Sequence, residues 1–550
     1  MAEKEKYVAV TIGPILDTIN LASSPSALWA ASYMMSTLSK NICMALIDQG
    51  GIPQEDIISP YFDRSSELLN RNDGVGLFHD RVIFKVSDNY DIKDFGSIRE
   101  TAIKQTVKYF GLDKATDDYF KDYFLVSAVL LEDTDNPIMD SGKKLDCLEL
   151  SRSFVRASVK NPLLSFFNSE ETSGGKNEEI KNKEIKNKVE GMGIDNWQLI
   201  TSNRKIRSLG DIANAYTLSK DVLKKNTYYA VVRSDGDRIS KIIQELNPSQ
   251  TRSFSKTCLE YCSKIASMVH DDYGGVTIYS GGDDLLALMP VQNHNGKTIF
   301  DFTVEANNLF QKSFSENQAF EAVFSGDDEE KRMEYQKLCE ELSLSFGIFV
   351  SFYKFPLYEA LEKSAELLFY TAKSVRNCTA IVFQKHSGQS EGLLIPNKDM
   401  SDFSEFLKEC TNNQSIALDE KVILSSLHKI ELFAALFNHA CGEDLKNLFK
   451  NTFDADSIKD NEFLHTKLYE YFRDLKEKTE IVVLAEDEEK GSSDFEKLKK
   501  AIEKTSEKGI TQEEAKDIIT RFRADRNNAK SMNFILRIIK FFIEKAGEKE

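Results

Sequence analysis

A glycine-aspartate turn between two apolar segments, near the middle of the 550-residue chain, restricts the fold more than any other feature. In TIYSGGDDLLALMP (277–290), Gly281, Gly282, Asp283 and Asp284 separate two runs of strand-forming residues. Glycine and aspartate are common in tight turns, so the stretch predicts a β-hairpin. Two adjacent carboxylates at such a turn repel each other, and divalent cations would relieve that repulsion. The alternative is an acidic turn with a purely structural role.

The segments on both sides of the hairpin predict alternating strands and helices over residues 223–390. In chain order these are a strand at 228–234, helices at 237–245 and 255–271, the hairpin at 276–289, a helix at 301–316, a strand at 343–352, a helix at 357–375 and a strand at 379–384. This is the order of a nucleotidyl cyclase or polymerase palm, in which helices back an antiparallel sheet. The order therefore favours a palm domain.

Three further regions complete the predicted organisation. Residues 1–140 predict a first α/β block that opens with the strand YVAVTIGPI. Residues 141–222 are predicted to be mainly helical, with a Lys/Glu-rich insert at 170–190 in which EIKNK occurs twice. Because such a polar repeat cannot bury a face, we expect the insert to be a mobile loop. Residues 391–550 show helical periodicity almost throughout and predict a C-terminal helical bundle.

Composition excludes several classes of protein. No apolar run approaches the roughly 20 residues that a membrane span requires, and the N-terminus has no secretory pattern, so a cytoplasmic protein is expected. The eight cysteines form no CxxC pair and are expected to be free thiols rather than zinc ligands. The net charge of −17 argues against a chain that mainly coats nucleic acid, although Arg204, Lys205 and Arg207 form a small basic cluster.

A second pair of aspartates, Asp235 and Asp237 in RSDGD, directly follows the strand at 228–234. In a palm this strand end lies beside the hairpin tip, so we predict that the four aspartates (Asp235, Asp237, Asp283 and Asp284) hold two Mg²⁺ or Mn²⁺ ions. Such a pair would orient a triphosphate, help deprotonate an attacking hydroxyl and stabilise the leaving pyrophosphate. Asp235, Asp283 and Asp284 are the predicted catalytic residues.

Four groups of motifs carry a family resemblance. They are GPILDTI with ALWAASYMMS, LDCLEL at 145–150, SDGDRIS with SGGDDLLALMP, and SLSFGIFVSFYKFPLYEALEKSAELLFYTAK with the closing KHSG. Together they resemble the large signature subunit of type III CRISPR effector complexes, most closely the type III-B (Cmr) form. The resemblance implies an α+β fold with two ferredoxin-like nucleotidyl cyclase or polymerase palms, an intervening helical domain and a C-terminal helical bundle. It also implies that only the second palm carries GGDD.

The same resemblance implies a target-RNA-activated nucleotidyltransferase. Pairing of a guide RNA with a target RNA, in a complex with other subunits, would switch on synthesis of a second messenger from ATP. Two products remain open: cyclic oligoadenylate, or an AMP conjugate of S-adenosylmethionine as co-substrate. The implied nucleotide-binding residues are Ser280, Gly281, Gly282, Asp237 and Lys373, with Glu149 and Asp63 on the acceptor side.

Two departures and three rival interpretations accompany this resemblance. Members often begin with an HD nuclease domain, whereas this chain starts at the first palm, and its His79-Asp80 and His270-Asp271 pairs are expected to be structural. The cysteine pairs of the family's zinc element are also missing. A diguanylate cyclase-like enzyme would usually show GG[DE]EF, and a template-directed polymerase would space its first aspartates by four residues. A non-enzymatic scaffold subunit, with the palm kept for assembly, is the remaining alternative.

Overall fold

The computed structural model describes eleven segments of the chain. They are residues 5–20, 22–112, 117–132, 134–150, 186–201, 205–215, 223–317, 329–412, 420–453, 462–485 and 528–544. Most of the Lys/Glu-rich insert lies outside them. Within these segments, no helix combines the length and the apolar character needed to cross a membrane.

The first α/β unit is a four-stranded antiparallel sheet with helices. Its elements are β1 (Lys6–Gly13), α1 (Ile15–Asn20), α2 (Pro25–Asp48), β2 (Ile57–Ser59), β3 (Arg81–Val86), α3 (Phe95–Tyr109), α4 (Asp117–Tyr123) and β4 (Leu125–Leu131). The strand order is β2-β3-β1-β4. The predicted strands and helices are confirmed, while the three-residue β2 is too short to give a periodic signal in the sequence. Helix α5 (Pro137–Leu150) completes this unit by packing on its sheet through Leu145, and α6 (Leu209–Asn214) follows it.

The second α/β unit is built around the predicted hairpin. Its elements are β5 (Tyr228–Asp237), α7 (Ile239–Glu245), α8 (Pro248–Ser267), β6 (Val276–Gly281), β7 (Asp284–Pro290), α9 (Ile299–Ser315), α10 (Glu329–Glu340), β8 (Ser343–Phe352), α11 (Leu357–Glu366) and β9 (Cys378–Gln384). The strands are ordered β9-β8-β5-β7-β6. In both units the first strand lies between the third and the fourth, which is the ferredoxin-like order. The predicted pair of palm-like sheets is therefore confirmed.

The region after residue 390 is not purely helical. Strand β10 (Ser390–Pro396) pairs antiparallel with β9, and β11 (Val482–Ala485) pairs antiparallel with β10, so the second sheet has seven strands. The predicted, almost entirely helical C-terminal region did not include these two strands, because each is short and lies next to strongly periodic helices. The helices of this region are α12 (Asn397–Asn412), α13 (Glu420–Leu432), α14 (Ala434–His439), α15 (Gly442–Phe453), α16 (Glu462–Glu477) and α17 (Asn528–Ile543).

The two α/β units share one hydrophobic core and several hydrogen bonds. Strand β6 is the edge strand of the second sheet, and its Ser280 N–H donates to the Gly76 carbonyl of the first unit at 3.0 Å. The Arg252 guanidinium in α8 donates to the carbonyls of Gln54 and Phe62, both at 3.1 Å. These contacts fix the first unit against the hairpin side of the second.

One residue of the basic cluster at 204–207, Arg207, is buried, while Lys205 is exposed. Arg207 is only 1% exposed, and its guanidinium donates to the carbonyls of Gly274 at 2.6 Å and Gly275 at 3.0 Å. Arg204 lies outside the described residues. Arg207 therefore holds the chain just before β6, where the carbonyls of a glycine pair accept the hydrogen bonds, and a sequence pattern cannot show this burial.

Gly347 in β8 lies against the helical segment that leads to Lys373, and this contact provides a test of the packing. A Cβ at Gly347 would lie 2.7 Å from the Leu368 Cβ and would overlap backbone atoms of Ser364 and Leu368. Backbone atoms can move only together with the helical segment that contains them. We therefore expect Gly347→Ala to destabilise the protein by about 2 kcal/mol or more. Thermal melting measures the effect.

Gly96 in α3 is the matched control, since an added Cβ there has no atom within 4 Å. We expect Gly96→Ala to be neutral or slightly stabilising. If Gly347→Ala melted at the temperature of the wild type, β8 and the helical segment would not be packed as described.

Candidate active site

The turn between β6 and β7 has the geometry that its sequence predicts. Gly281 pairs with Asp284 across the hairpin, so Gly282 and Asp283 form a two-residue turn. Gly282 has φ +70°, the left-handed backbone that a type II′ turn requires at its first position and that favours glycine. The hairpin therefore presents Asp283 at its turn and Asp284 at the start of β7.

The end of β5 lies directly beneath this turn. A Cβ at Gly236 would lie 2.7 Å from Asp283 Oδ2 and 2.9 Å from Asp283 Cβ, so only glycine lets the two backbones approach so closely. Asp235, the residue before Gly236, lies within hydrogen-bonding reach of the Asp283 carboxyl. The RSDGD and GGDD motifs thus meet at one point, as the sequence predicts.

Lys373 places a positive charge at this meeting point. Its ammonium group donates to Asp235 Oδ2 at 2.6 Å, to the Gly236 carbonyl at 2.6 Å and to Asp237 Oδ1 at 3.1 Å. Helix α11 continues through a π-helical segment, Leu367–Ala372, into the short helix that carries Lys373. Such π-helical segments are frequent at functional sites. Lys373 therefore neutralises part of the negative charge that the aspartates bring together.

Asp237 does not join the other three aspartates. Its carboxylate accepts hydrogen bonds from the Ser343 hydroxyl at 2.9 Å, from the Ser345 hydroxyl at 2.8 and 3.0 Å, and from the Asn377 N–H at 2.8 Å. The residue is 2% exposed. These donors and Lys373 bond to both oxygens and tie Asp237 to β8, and its role as a metal ligand stays a prediction.

The remaining carboxyls are electrostatically coupled. Desolvation by the surrounding protein, together with the nearby Asp235 carboxylate, raises the pKa of Asp283 to about 7, although Lys373 opposes the shift. Desolvation followed by repulsion from Asp283 and Asp235 raises the pKa of Asp284 well above its usual range. Asp284 is exposed at the surface and Asp283 is not, so solvent screens Asp284 better. The repulsion between Asp235 and Asp283 is therefore less screened by solvent than the repulsion that involves Asp284.

A cleft of about 370 Å³ opens beside Asp283 and Lys373. Its lining also contains residues that the sequence did not single out: Arg238, Ile239, Ser240, Ile243, Arg376 and, from the first unit, Met139. Arg238 (φ +65°) and Arg376 (φ +66°) have positive φ angles, which are uncommon for residues other than glycine and which cluster at active sites and ligand clamps. In the sequence, Arg238 directly follows Asp237, and Arg376 comes three residues after Lys373. A sequence does not show backbone conformation, so this proximity alone did not identify them.

The predicted acceptor-side residues do not line this cleft. Glu149 accepts a hydrogen bond from the Thr11 hydroxyl and lies 3.6 Å from the Arg81 guanidinium, so it stabilises α5 on the first sheet. Asp63 accepts hydrogen bonds from the Ser65 N–H and hydroxyl, which is typical of a turn.

Two further predicted residues have structural surroundings. Ser280 is buried, and its hydroxyl donates to the Cys262 carbonyl of α8 at 3.3 Å rather than facing the cleft. His79 bonds through Nε2 to the Ser59 hydroxyl at 3.1 Å, and burial lowers its pKa to about 4, so the ring is neutral. These contacts agree with the structural role expected for His79.

Comparison with known proteins matches the two α/β units to one family. A model of the Cas10/Cmr2 second palm domain matches residues 228–381, and a model of the N-terminal region of CRISPR-associated protein Cmr2 matches residues 7–111. Both α/β units are therefore similar to parts of Cas10/Cmr2 proteins, the large subunits of type III-B complexes. The GGDD hairpin and RSDGD thus lie in the unit that matches the second palm.

Two kinds of individual match support the same similarity, one in sequence and one in fold. The CRISPR system Cmr subunit Cmr2 of Pyrococcus furiosus (strain ATCC 43587 / DSM 3638 / JCM 8422 / Vc1) is 28% identical over 296 residues, which are 48% of this chain and 29% of that relative. The apo cryo-EM structure of type III-B Cmr-beta has a TM-score of 0.52 at 12% identity, over 88% of this chain and 80% of the other. Cmr-beta bound to cognate target RNA gives 0.51 at 12% identity, over 88% and 81%. These structures support the fold.

The donor set of this second palm suits a hard cation only in part. In the described segments, no three His, Cys, Asp or Glu side chains form a complete ligand cluster. Magnesium is usually held by one or two carboxylates, with water and substrate phosphates supplying the other ligands. Asp235 and Asp283 provide such a pair, with Asp284 adjacent. The residues therefore fit a metal that binds together with a nucleotide.

The raised carboxyl pKa values predict a pH-dependent destabilisation in the absence of metal. A carboxyl whose pKa is higher in the folded protein than in the unfolded chain costs stability when it is ionised. This cost begins as pH rises above the unfolded value near 4 and is complete above about 7. In EDTA, Asp283→Asn with Asp284→Asn should therefore raise the melting temperature at pH 8 by about 1–3 °C.

At pH 5 the same double variant should melt close to the wild type. Melting curves of both proteins at the two pH values measure the difference. A variant that is less stable than the wild type at pH 8 in EDTA would contradict the repulsion described for these carboxyls.

Proposed function

We propose that this protein transfers AMP from ATP to an acceptor and so makes a second messenger. The product is either cyclic oligoadenylate or an AMP conjugate of S-adenosylmethionine. The observation that carries the proposal is the contact between Asp235 and Asp283 beside Lys373, at the edge of a cleft of nucleotide size. Small-molecule sites usually measure about 300–1,000 Å³, and this cleft lies within that range.

The charges of the cleft support a triphosphate donor. Lys373, Arg376 and Arg238 line one cavity in a chain whose net charge is −17, so they are a local exception to the overall acidity. Arg238 also pairs with Glu341, while Arg376 is exposed. Guanidinium and ammonium groups bind phosphate oxygens through charge-assisted hydrogen bonds. ATP phosphates placed along these cations would lie next to the Asp235–Asp283 pair.

The reaction is a displacement at phosphorus. An acceptor hydroxyl oxygen forms a bond to the α-phosphorus of ATP, the bond from that phosphorus to pyrophosphate breaks, and the hydroxyl proton is lost to solvent. A bound divalent metal would supply charge neutralisation at the phosphates and would lower the pKa of the attacking hydroxyl. Asp235 and Asp283 would hold that metal, and Asp237 would keep Gly236 and Lys373 in position through its bonds to β8.

The first palm helps to hold the proposed site in place. The Asn136 side-chain amide donates to the Ile243 carbonyl at 2.6 Å and to the Leu246 carbonyl at 3.2 Å, so the first unit caps the end of α7. Met139 in α5 is partly exposed and lines the cleft. A shift between the two palms would therefore change the cleft.

We place this activity in a type III-B complex with other protein subunits. Guide RNA and target RNA would act through that complex, and target pairing would switch the second palm on. The similarity to Cas10/Cmr2 proteins supports this placement, and the net charge of −17 fits a chain that contacts RNA locally or through its partners. Because Met139 and residues of the second palm line the same cleft, a change in the arrangement of the palms would alter it, and this is the physical route that we propose for activation.

Removal of the hairpin carboxylates tests the function. We expect Asp283→Ala with Asp284→Ala to keep the fold and to reduce messenger synthesis by about 100-fold or more, because the charge stabilisation of the leaving pyrophosphate is lost. The measurement is pyrophosphate release by the assembled, target-activated complex. Mass spectrometry of products, with ATP alone and with ATP plus S-adenosylmethionine, identifies the messenger.

The adjacent, exposed pair Asp271 and Asp272 provides a matched control, because it makes the same change in charge away from the cleft. Asp271→Ala with Asp272→Ala should synthesise the messenger at the wild-type rate. If the hairpin variant released pyrophosphate at the wild-type rate, the proposed enzymatic function would be contradicted and a scaffold role would be favoured.

A further inference from the structure

The peptide between Gly282 and Asp283 sets the direction of the GGDD turn. A two-residue hairpin adopts a type II′ or a type I′ turn, which differ by a flip of the peptide between the two turn residues. In that flip, ψ of the first residue and φ of the second each change by roughly 150–170°. Gly282 has φ +70°, and Asp283 is not among the residues of positive φ in the described segments, so this turn is type II′.

The residues of the turn do not by themselves select type II′. Glycine suits the first position of both turn types, and aspartate tolerates the left-handed backbone that type I′ requires at the second position. In the flipped turn, the Asp283 carboxyl would leave its present place against Gly236 and beside Asp235. A contact from outside the turn can therefore decide where this carboxyl lies.

The thiol of Cys262 in α8 makes such a contact. Its Sγ donates to the Gly282 carbonyl at 3.3 Å, and this carbonyl belongs to the peptide that would flip. Burial raises the pKa of Cys262 to about 12, so the thiol keeps its proton and remains a donor. The Ser280 hydroxyl donates in return to the Cys262 carbonyl at 3.3 Å. The residues on both sides of Gly281 are thus bonded to one residue of α8.

Helix α8 is itself held at this point by the first palm. The Arg71 guanidinium donates to the carbonyl of Ser263, the residue next to Cys262, at 2.8 Å and to the Ser267 hydroxyl at 3.0 Å. Arg71 is also paired with Asp73. Cys262 therefore meets the turn from a segment of helix that is fixed on its other side.

We propose that Cys262 is a positioning residue for the transfer of AMP. Its thiol holds the Gly282 peptide in the type II′ turn and so keeps the Asp283 carboxylate beside Asp235, where the two can hold a metal. This inference rests on the proposed function. Cys262 is fully buried and does not line the cleft, so it acts on the reaction through Asp283 and not through a contact to the nucleotide.

Cys262→Ala tests the inference, because it removes the donor from the Gly282 carbonyl. In the assembled, target-activated complex, we expect pyrophosphate release from ATP to fall by about three- to tenfold, the effect of one lost hydrogen bond on the population of the turn. Cys262→Ser returns a hydroxyl donor at the same position and should recover most of the rate. Calorimetry with Mn²⁺ and AMPPNP provides a readout without turnover: the affinity for Mn²⁺ should fall in the alanine variant and recover in the serine variant.

Cys258→Ala is the matched control. Cys258 is buried one helical turn before Cys262 on the same side of α8, so its variant also removes a buried thiol from this helix. Both alanine variants should melt at similarly lowered temperatures, because each leaves a small cavity. Cys258→Ala should nevertheless keep the wild-type rate and the wild-type affinity for Mn²⁺.

Three results would count against the account. A Cys262→Ala complex with wild-type rate and Mn²⁺ affinity overturns the positioning role and leaves the proposed function standing. An equal loss in Cys258→Ala, or no recovery in Cys262→Ser, would show that the thiol acts by filling space in the core, which also overturns it. A wild-type complex that releases no pyrophosphate contradicts the proposed function, while the Mn²⁺ affinities of the variants still decide whether Cys262 positions Asp283.

Discussion

The ammonium group of Lys373 is the interaction on which the candidate site depends. It lies 2.6 Å from Asp235, 2.6 Å from the Gly236 carbonyl and 3.1 Å from Asp237. Without a cation at this point, the ionised carboxylates from β5 and from the hairpin would repel each other more strongly, because repulsion grows as the surroundings become less polar. Lys373 is itself positioned by β8, since Gly347 lets the preceding helical segment lie against that strand.

The two palms share the ferredoxin-like strand order but differ in the connection that meets the first strand. In both units the first strand lies between the third and the fourth, so its end meets the connection between the second and third strands. In the second palm that connection is the two-residue turn of Gly282 and Asp283. In the first it runs from Ser59 to Arg81, and β1 ends at Gly13 without a carboxylate. The first palm therefore helps to shape the cleft, through Asn136 and Met139, while the charged residues of the site come from the second palm.

Local patterns in the sequence predicted the parts of the structure that depend on neighbouring residues. The hairpin, the palm order and the convergence of RSDGD with GGDD follow from strand periodicity and turn chemistry. The hydrogen bonds of Asp237 were not predicted, because its partners Ser343 and Ser345 are more than a hundred residues away. The arginines of the cleft have positive φ angles, and Arg207 is buried by a tertiary contact. Neither feature leaves a local pattern in the sequence.

Anomalous diffraction from crystals grown with Mn²⁺ and AMPPNP tests the central claim most directly, because it locates the metal independently of turnover. The account predicts an anomalous peak at about 2.1 Å from carboxylate oxygens of Asp235 and Asp283, next to the nucleotide phosphates in the cleft. Asp237 should remain bonded to Ser343 and Ser345. A metal bound by Asp237, or a nucleotide bound in the cleft with no metal at Asp235 and Asp283, would contradict the account.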